Sequence, residues 1–563
     1  MAPEPFGFHT SRRSGVREGL RYTFKLSDGQ EYPDLASRWQ PEGVHRPSAV
    51  FSPDVFAWTD RGWGGVHREN LVLYELHVGT FTPEGTFDAI IPRLSELASL
   101  GITAIELMPI AQFPGERNWG YDGVHPYAVQ NSYGGPRALQ RLVDAAHRCG
   151  VAVFLDVVYN HLGPEGSYFN RFGPYFTDHY HTPWGNAINF GDADSDPVRQ
   201  FFIDNACFWI RDFHIDGLRL DAIHAIHDAS ANHILADIRA AVHRVGEQQD
   251  RAVVVTAESH LNDVRVVLPA EQGGHGLDAV WSDDFHHSVH ALLTGERDGY
   301  YQDFGKPEQL VKALNDVHVY DGCYSPFRRR RHGNRVGSID RTRFVVALQN
   351  HDQIGNRAMG DRLTTLLPPA AQRLAVGLML LSPFVPLLFM GEEYGETRPF
   401  PFFCSFGDPD LVEAIRKGRR REFSELAFKW HHEIPDAQDP CTFASAKLRW
   451  EWPEGSRQAE RRQLYQDLLS SRRRWPQLRP GQSLRAELVD RMIVIQRGES
   501  PELIAYANIS SDTIAVQSRQ TGIQPILLST EDARYGGRRT AADSSSQLLP
   551  YEILVTCPNE WRP

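Results

Sequence analysis

The chain has 563 residues, 41% of them hydrophobic and 23% charged, and a formal net charge of -12. This length predicts two or three domains, and the composition is that of an ordinary globular protein. The negative charge argues against a nucleic-acid partner. No membrane partner is expected either, because the longest apolar tract, residues 374 to 390, is shorter than the ~20 residues of a spanning helix and contains Pro383 and Pro386.

Two features of the sequence indicate a cytoplasmic protein. The first residues contain no apolar segment of the kind found in signal peptides. The six cysteines are scattered along the chain with no CxxC spacing, as expected in a reducing compartment. Nothing in the sequence indicates an oligomeric state.

Residues 1 to 65 contain few runs that resemble strands. The clearest is Arg21-Tyr22-Thr23-Phe24-Lys25-Leu26, which precedes Ser27-Asp28-Gly29 as one arm of a hairpin would. We therefore expect residues 1–65 to be a linker region or part of a β-sandwich.

From Leu71 onward, strand-like and helix-like patterns alternate eight times, which predicts the α/β class and a (β/α)8 TIM barrel over residues 66–480. The loops after the second and third strands are unusually long. A helix over residues 464 to 478 is expected to close this domain, and short strands after it predict a C-terminal β-sandwich over residues 481–563. The predicted barrel strands are Leu71 to His77, Ile102 to Met108, Val151 to Val158, a strand ending at Asp221, one ending at Ala257, Asp278 to Trp281, one ending at Leu348, and Phe384 to Met390.

Charged residues interrupt or follow three of the apolar strands. Arg219 and Asp221 lie two residues apart, so a strand directs both side chains to the same face. An internal ion pair would explain these two residues alone, and that alternative has about even odds. Glu258 and Asp352, however, follow two other apolar runs, and parallel strands that each end in a polar residue are typical of a TIM-barrel active site.

The three carboxylates suit the hydrolysis of a glycosidic bond with retention of configuration. This reaction requires an ionised carboxylate as nucleophile and a carboxylic acid that protonates the leaving oxygen. Arg219 favours the ionised form of Asp221, whereas Glu258 follows an apolar strand whose burial favours the protonated form. Asp352 would add negative charge that stabilises an oxocarbenium-like transition state.

Polar and aromatic residues near the strand ends complete the predicted site. His161 and His351 both follow apolar strands at the presumed carboxyl end of the barrel, which favours a site over an ordinary buried position. The loop after the second strand contains Trp119, Tyr121 and Tyr127, which are equally consistent with loop packing and with stacking on sugar rings. Tyr121 is the best candidate for stacking.

Four short motifs in this order resemble those of the α-amylase superfamily. The resemblance implies that Asp221 is the nucleophile, Glu258 the general acid/base and Asp352 the transition-state stabiliser. It implies a sugar subsite that includes Tyr121, His161, Arg219, Asn350 and His351, an α-glucan substrate, and no metal or other cofactor. The motifs are Asp156 to His161, Gly217 to Asp221, Glu258, and Asn350-His351-Asp352.

Further stretches resemble two groups within that superfamily, the maltooligosyltrehalose trehalohydrolases and the glycogen branching enzymes. Residues 182–190, Asp283 to His287 and residues 408–423 favour the trehalohydrolases. The expected reaction is therefore cleavage of the α-1,4 bond next to a terminal trehalose unit, with release of trehalose. A branching enzyme or another α-amylase-type hydrolase is the alternative. His224, three residues after Asp221, is equally consistent with the adjoining subsite and with packing under the loop.

Two other classes of protein remain as alternatives. A metal-dependent barrel hydrolase could use Asp156, His161, Asp221 and Glu258 as ligands, but there is no HxH or HExxH motif and Arg219 would repel a cation. A non-catalytic glucan-binding protein would tolerate the loss of a carboxylate, yet all three are present. The resemblance also implies a complete N-terminal β-sandwich, and because residues 22–26 resemble one of its late strands, we expect this chain to begin partway through it.

Overall fold

The computed structural model describes residues 1–423, 434–499, 502–516, 525–540 and 546–557. Its centre is a closed barrel of eight parallel strands whose order around the barrel is the order along the chain. The predicted TIM barrel is thus confirmed. The strands, from first to eighth, are Leu73–Leu76, Ala104–Leu107, Ala152–Val157, Gly217–Leu220, Val254–Ala257, Ala279–Trp281, Phe344–Ala347 and Val385–Phe389.

The barrel interior has an apolar lower layer and a charged upper layer. Leu73, Ala104 and Phe154 belong to one buried apolar cluster inside the barrel. Two residues further along the same strands, the alternation of side chains directs Glu75, Glu106 and Asp156 to the same interior face. The charged side chains therefore lie towards the carboxyl end, where TIM barrels have their active sites.

Helices surround the barrel in all units except one. The connection from the fifth strand to the sixth contains only the 3-10 turns Val264–Val266 and Ala270–Gln272, so the expected eight complete units are wrong at this point. Pro269 and three glycines at 273, 274 and 276 disfavour a helix there. Among the described residues up to the end of the barrel domain, the α-helices of seven or more residues are Leu94–Leu100, Gly135–Arg148, Asp196–Phe213, Ile234–Gln248, Asp283–Thr294, Pro307–Asp316, Pro369–Leu381, Pro409–Glu422 and Arg457–Arg474. None of the helices in the described residues is long and apolar enough to cross a membrane.

The two long loops carry small antiparallel ladders. Ala111–Gln112 pairs with His125–Val129 in the loop after the second strand. Phe176–Thr182 pairs with Gly185–Ile188 in the loop after the third strand. The turn between the two strands of the second ladder contains Trp184, which stacks on His161.

Residues 1–65 form three two-stranded ladders. The run from Arg21 to Leu26 is split between two of them, because Arg21–Tyr22 pairs with Ser48–Ala49 whereas Phe24–Lys25 pairs with Glu31–Tyr32. The third ladder joins Ala2–Pro3 to His9–Thr10. The predicted single hairpin arm is therefore two short strands, and the assignment of this region to a sandwich stays a prediction.

After the barrel, an antiparallel five-stranded sheet and a two-stranded ladder form the C-terminal region. This arrangement agrees with the expected sandwich class. The strands of the sheet, in spatial order, are Leu484–Val489, Met492–Arg497, Leu503–Asn508, Ile553–Thr556 and Ile526–Ser529, and the ladder joins Ile514–Ala515 to Gln547–Leu548.

A buried histidine connects the segment before the first strand to the amino end of the barrel. His147 Nδ1 lies 2.9 Å from Asp60 Oδ2, and its Nε2 lies 2.8 Å from Asp216 Oδ2. Burial opposes a charge on His147, but Asp216 and Asp60 outweigh it and raise the pKa of the imidazole above 6.5. His147 is thus held as a cation between two carboxylates.

We expect His147→Ala to lower the stability of the fold by about 3–5 kcal/mol, because both carboxylates lose a buried partner. Since the folded-state pKa is raised, the stabilisation is fully present below pH 6.5 and is lost as the pH rises through the folded-state value. The pKa of Asp60 is lowered from 3.8, because the His147 and His214 contacts outweigh burial, so its contribution is lost in acid. Urea midpoints measured between about pH 4 and 10 should therefore differ most between wild type and variant near pH 4–6.5, with exposed His67→Ala as control. A difference that grows with pH would contradict this assignment.

Candidate active site

Arg219 lies at the centre of the charged layer. Its side chain is fully buried, and its Nη1 donates to Asp221 Oδ1 at 2.7 Å and to Asp156 Oδ2 at 2.8 Å. Asn160 Nδ2 donates to the other Asp221 oxygen at 2.8 Å. The Arg219 guanidinium also lies 4.5 Å from the centre of the Trp281 ring. Asp221 is thereby fixed by two donors as an ionised carboxylate would be.

Glu258 lies on the other side of the same guanidinium. Its Oε2 is 4.0 Å from Arg219 Nη2 and accepts a hydrogen bond of 2.8 Å from the backbone N of Ala222, the residue after Asp221. Burial, together with the charge of Asp221, outweighs Arg219 and raises the pKa of Glu258 to about 8. The pair therefore combines an ionised carboxylate with a carboxylic acid that stays protonated at neutral pH.

His351 and Tyr121 form a stacked pair beside Asp156. Their ring centres are 5.1 Å apart, and the Tyr121 hydroxyl lies 2.7 Å from His351 Nε2 and donates to Asp156 Oδ2 at 2.7 Å. Glu75 accepts from the His351 backbone N at 3.0 Å and also contacts Nδ1. Burial lowers the pKa of His351, but Glu75 and Asp352 outweigh burial and raise it to about 9.

Asp352 lies at the first turn of a short helix, His351–Gly355, with half of its side chain exposed. Asn350 caps this helix, since its Oδ1 accepts from the backbone N of Asp352 at 3.0 Å and of Gln353 at 3.1 Å. The Asn350 side chain thus positions Asp352 through the backbone. Gln353 also donates to Asp283 at 3.2 Å, and burial raises the pKa of Asp283 to about 7.

His161 lies between two loops. Its Nε2 is 2.9 Å from the backbone O of Tyr121, its Nδ1 contacts Asn160, and its ring stacks on Trp184 with centres 4.3 Å apart and planes within 5°. Burial lowers the pKa of His161, which favours the neutral imidazole. The half-exposed Trp184 indole extends this side of the cleft.

The structure brings His224 next to His260, with ring centres 3.9 Å apart. Burial lowers the pKa of both imidazoles, to about 3 for His260. The Nδ1 of His224 is buried and has no partner among the described residues, whereas the side chain as a whole is only partly buried, so another part of the ring is accessible to a ligand. Both alternatives for His224 therefore stay open in the geometry.

Of the aromatic residues in the loop after the second strand, only Tyr121 is accessible. Trp119 is buried and stacks on Phe400, and Tyr127 is buried and donates to the backbone O of Phe201. These two rings therefore pack the loop.

Four interior residues were not assigned a place in the site from the sequence: Glu75, Glu106, Trp281 and Asp283. Glu75 and Glu106 each lie inside an apolar strand, as Arg219 does, and that same signal could have identified them. Asp156 was considered only as part of a motif and as a metal ligand. Within the described residues, no group of three or more histidine, cysteine or acidic side chains could hold a metal ion.

Comparison with known proteins agrees with this geometry. The alpha-amylase catalytic-domain model matches residues 22–184. The malto-oligosyltrehalose trehalohydrolase of Saccharolobus solfataricus is 54% identical over 450 residues, which cover 80% of this chain and 78% of the relative. The chain belongs to the malto-oligosyltrehalose trehalohydrolase family.

Two further comparisons concern a solved structure and a more distant relative. A crystal structure from Salmonella typhimurium, described as a candidate alpha amylase, superposes with a TM-score of 0.87 at 39% identity, covering 96% of this chain and 91% of that one. A 1,4-alpha-glucan branching enzyme of Corynebacterium jeikeium is 27% identical over 75% of this chain and 61% of the relative. The family assignment expected from the sequence is confirmed, and the branching-enzyme alternative is the more distant one.

Proposed function

We propose that this protein is a retaining glycoside hydrolase that cleaves the α-1,4-glucosidic bond next to the terminal trehalose unit of a maltooligosyltrehalose and releases trehalose. The observation that carries the chemistry is the pair of carboxylates around Arg219, one fixed by donors and one with its pKa raised by burial. Membership of the trehalohydrolase family supports the choice of substrate.

The reaction begins when the Glu258 carboxylic acid donates its proton to the glycosidic oxygen and Asp221 attacks the anomeric carbon from the opposite side of the ring. The bond to trehalose breaks as the glycosyl–Asp221 ester forms. Glu258, now ionised, then removes a proton from water, which attacks the anomeric carbon and releases Asp221 as a carboxylate. Asp352 stabilises the positive charge that develops on the ring in both steps.

The surrounding residues hold the cleaved glucose. The side of the site next to Asp221 is lined by Tyr121, His161, Arg219 and His351. These residues fix the sugar hydroxyls and the Asp221 carboxylate. Asn350 contributes by capping the helix that carries Asp352. We infer that His224, which lies beside His260, contacts the leaving trehalose in the adjoining subsite.

The relative rates of two substrates of equal length test this proposal. We expect kcat/KM for maltotriosyltrehalose to exceed that for maltopentaose by at least about 10²-fold, because a site shaped for a bent, non-reducing leaving group rejects a linear one. Equal values would indicate a general α-amylase. Transfer of segments to form α-1,6 branch points in amylose, with maltotriosyltrehalose left intact, would indicate a branching enzyme.

A further inference from the structure

Two carboxylates that take no direct part in this chemistry lie side by side behind the site. Glu75 on the first strand and Glu106 on the second are paired in register, and each is only 1% exposed. A buried charge is costly unless it is paired or hydrogen-bonded. The two residues therefore require a physical explanation.

Their partners differ. Glu75 accepts from the backbone N and contacts Nδ1 of His351, so it has a cation and a backbone donor to compensate its charge. Neither side-chain oxygen of Glu106 has a hydrogen-bond partner among the described residues. Burial and the neighbouring charge of Glu75 raise the pKa of Glu106 well above 4.5. The geometry therefore suits an ionised Glu75 and a protonated Glu106.

A continuous row of contacts runs from Glu75 to the nucleophile. His351 Nε2 lies 2.7 Å from the Tyr121 hydroxyl, which donates to Asp156 at 2.7 Å. Arg219 then donates to Asp156 and to Asp221 at 2.8 and 2.7 Å. Because the protonated imidazole is a donor at both nitrogens, the Tyr121 hydroxyl must direct its own proton to Asp156.

We propose that Glu75 is a positioning residue that fixes His351 and, through it, the Tyr121 proton, and that Glu106 remains a neutral carboxylic acid beside it. With Glu106 neutral, Glu75 is the charged carboxylate behind the His351 ring. This inference rests on the proposed function only in placing His351 and Tyr121 against the substrate.

The other charged groups around His351 act in both directions. Asp352, with its Oδ1 3.6 Å from Nε2, favours the imidazolium, and Arg219 opposes it. His77 is also close, but burial lowers its pKa to about 4, so it is neutral at working pH. Removing Glu75 therefore removes the strongest charge that keeps His351 protonated.

The first test is Glu75→Gln, which keeps the shape of the side chain and removes its charge. We expect kcat/KM to fall by about 10²-fold and the alkaline limb of its pH profile to move to lower pH, because His351 then loses its proton more easily. Glu75→Asp should restore part of the activity and return the alkaline limb part of the way to its wild-type pH. The matched control is Glu247→Gln, since Glu247 is exposed. A residue that only packs the barrel would lower the melting temperature without moving the limb, and that result would overturn the positioning role.

The second test measures the protonation state of the Glu106 side chain in the absence of substrate. Infrared spectra of protein labelled with ¹³C-carboxyl glutamate should contain a protonated-acid carbonyl band at about pH 7 that weakens in Glu106→Gln. Should that variant not fold, Glu106→Leu, which also lacks the carboxyl group, serves instead. An acid band at about pH 7 that is equally strong in the wild type and in the Glu106 variant would overturn the neutral form of Glu106, whatever the enzyme hydrolyses.

Discussion

Asp221→Asn is expected to reduce kcat on maltooligosyltrehalose by about 10⁴-fold or more, because the amide cannot form the glycosyl ester through which the reaction proceeds. The fold should persist, since Arg219 can still donate to the remaining oxygen. The new amide nitrogen would face the Asn160 donor, so the loss of that hydrogen bond should cost about 1–2 kcal/mol of stability.

The measurement is steady-state hydrolysis together with a thermal melt. Asp250→Asn is a suitable control, because Asp250 is exposed and has a positive φ of 53°, which asparagine also adopts readily. The control should retain wild-type activity. Turnover of the Asp221 variant within tenfold of wild type would exclude Asp221 as the nucleophile.

Glu258→Gln is expected to reduce hydrolysis of the natural substrate by about 10²–10⁴-fold, because the leaving oxygen no longer receives a proton. A glycosyl fluoride, whose leaving group needs no protonation, should still form the glycosyl–Asp221 ester and accumulate it. Burst kinetics or mass spectrometry of the intact protein would detect that ester. Glu247→Gln on the surface is the control.

The same variant has a distinct pH signature. In the wild type, the carboxylic acid must be protonated, so the raised pKa of about 8 predicts an alkaline limb of kcat/KM that falls above about pH 8. In Glu258→Gln with a glycosyl fluoride, this limb should move from about pH 8 to about pH 9, where His351 titrates. An unchanged alkaline limb would mean that a group other than Glu258 titrates near pH 8.

The position of the site could be predicted from the sequence because a TIM barrel brings the ends of its strands to one face. Asp221, Glu258 and Asp352 each follow an apolar run, and the alternation along the fourth strand correctly placed Arg219 beside Asp221. These are local signals. They depend on the strand pattern and not on how distant parts of the chain meet.

Contacts between distant segments could not be predicted in this way. Nothing in the run around Glu75 indicates that it meets His351, which lies 276 positions further along the chain. The pairing of Arg21–Tyr22 with Ser48–Ala49 was missed for the same reason. The capping role of Asn350 was missed because the three-residue motif does not show that a helix begins there.

Proton NMR of the reaction mixture with maltotriosyltrehalose is the most direct measurement of the central proposal, since it identifies both products and the configuration of the new reducing end. A retaining trehalohydrolase should produce trehalose and the α-anomer of maltotriose in equal amounts, with the β-anomer appearing only later by mutarotation. Initial release of glucose or maltose without trehalose, or a β-anomer formed first, would contradict the proposal.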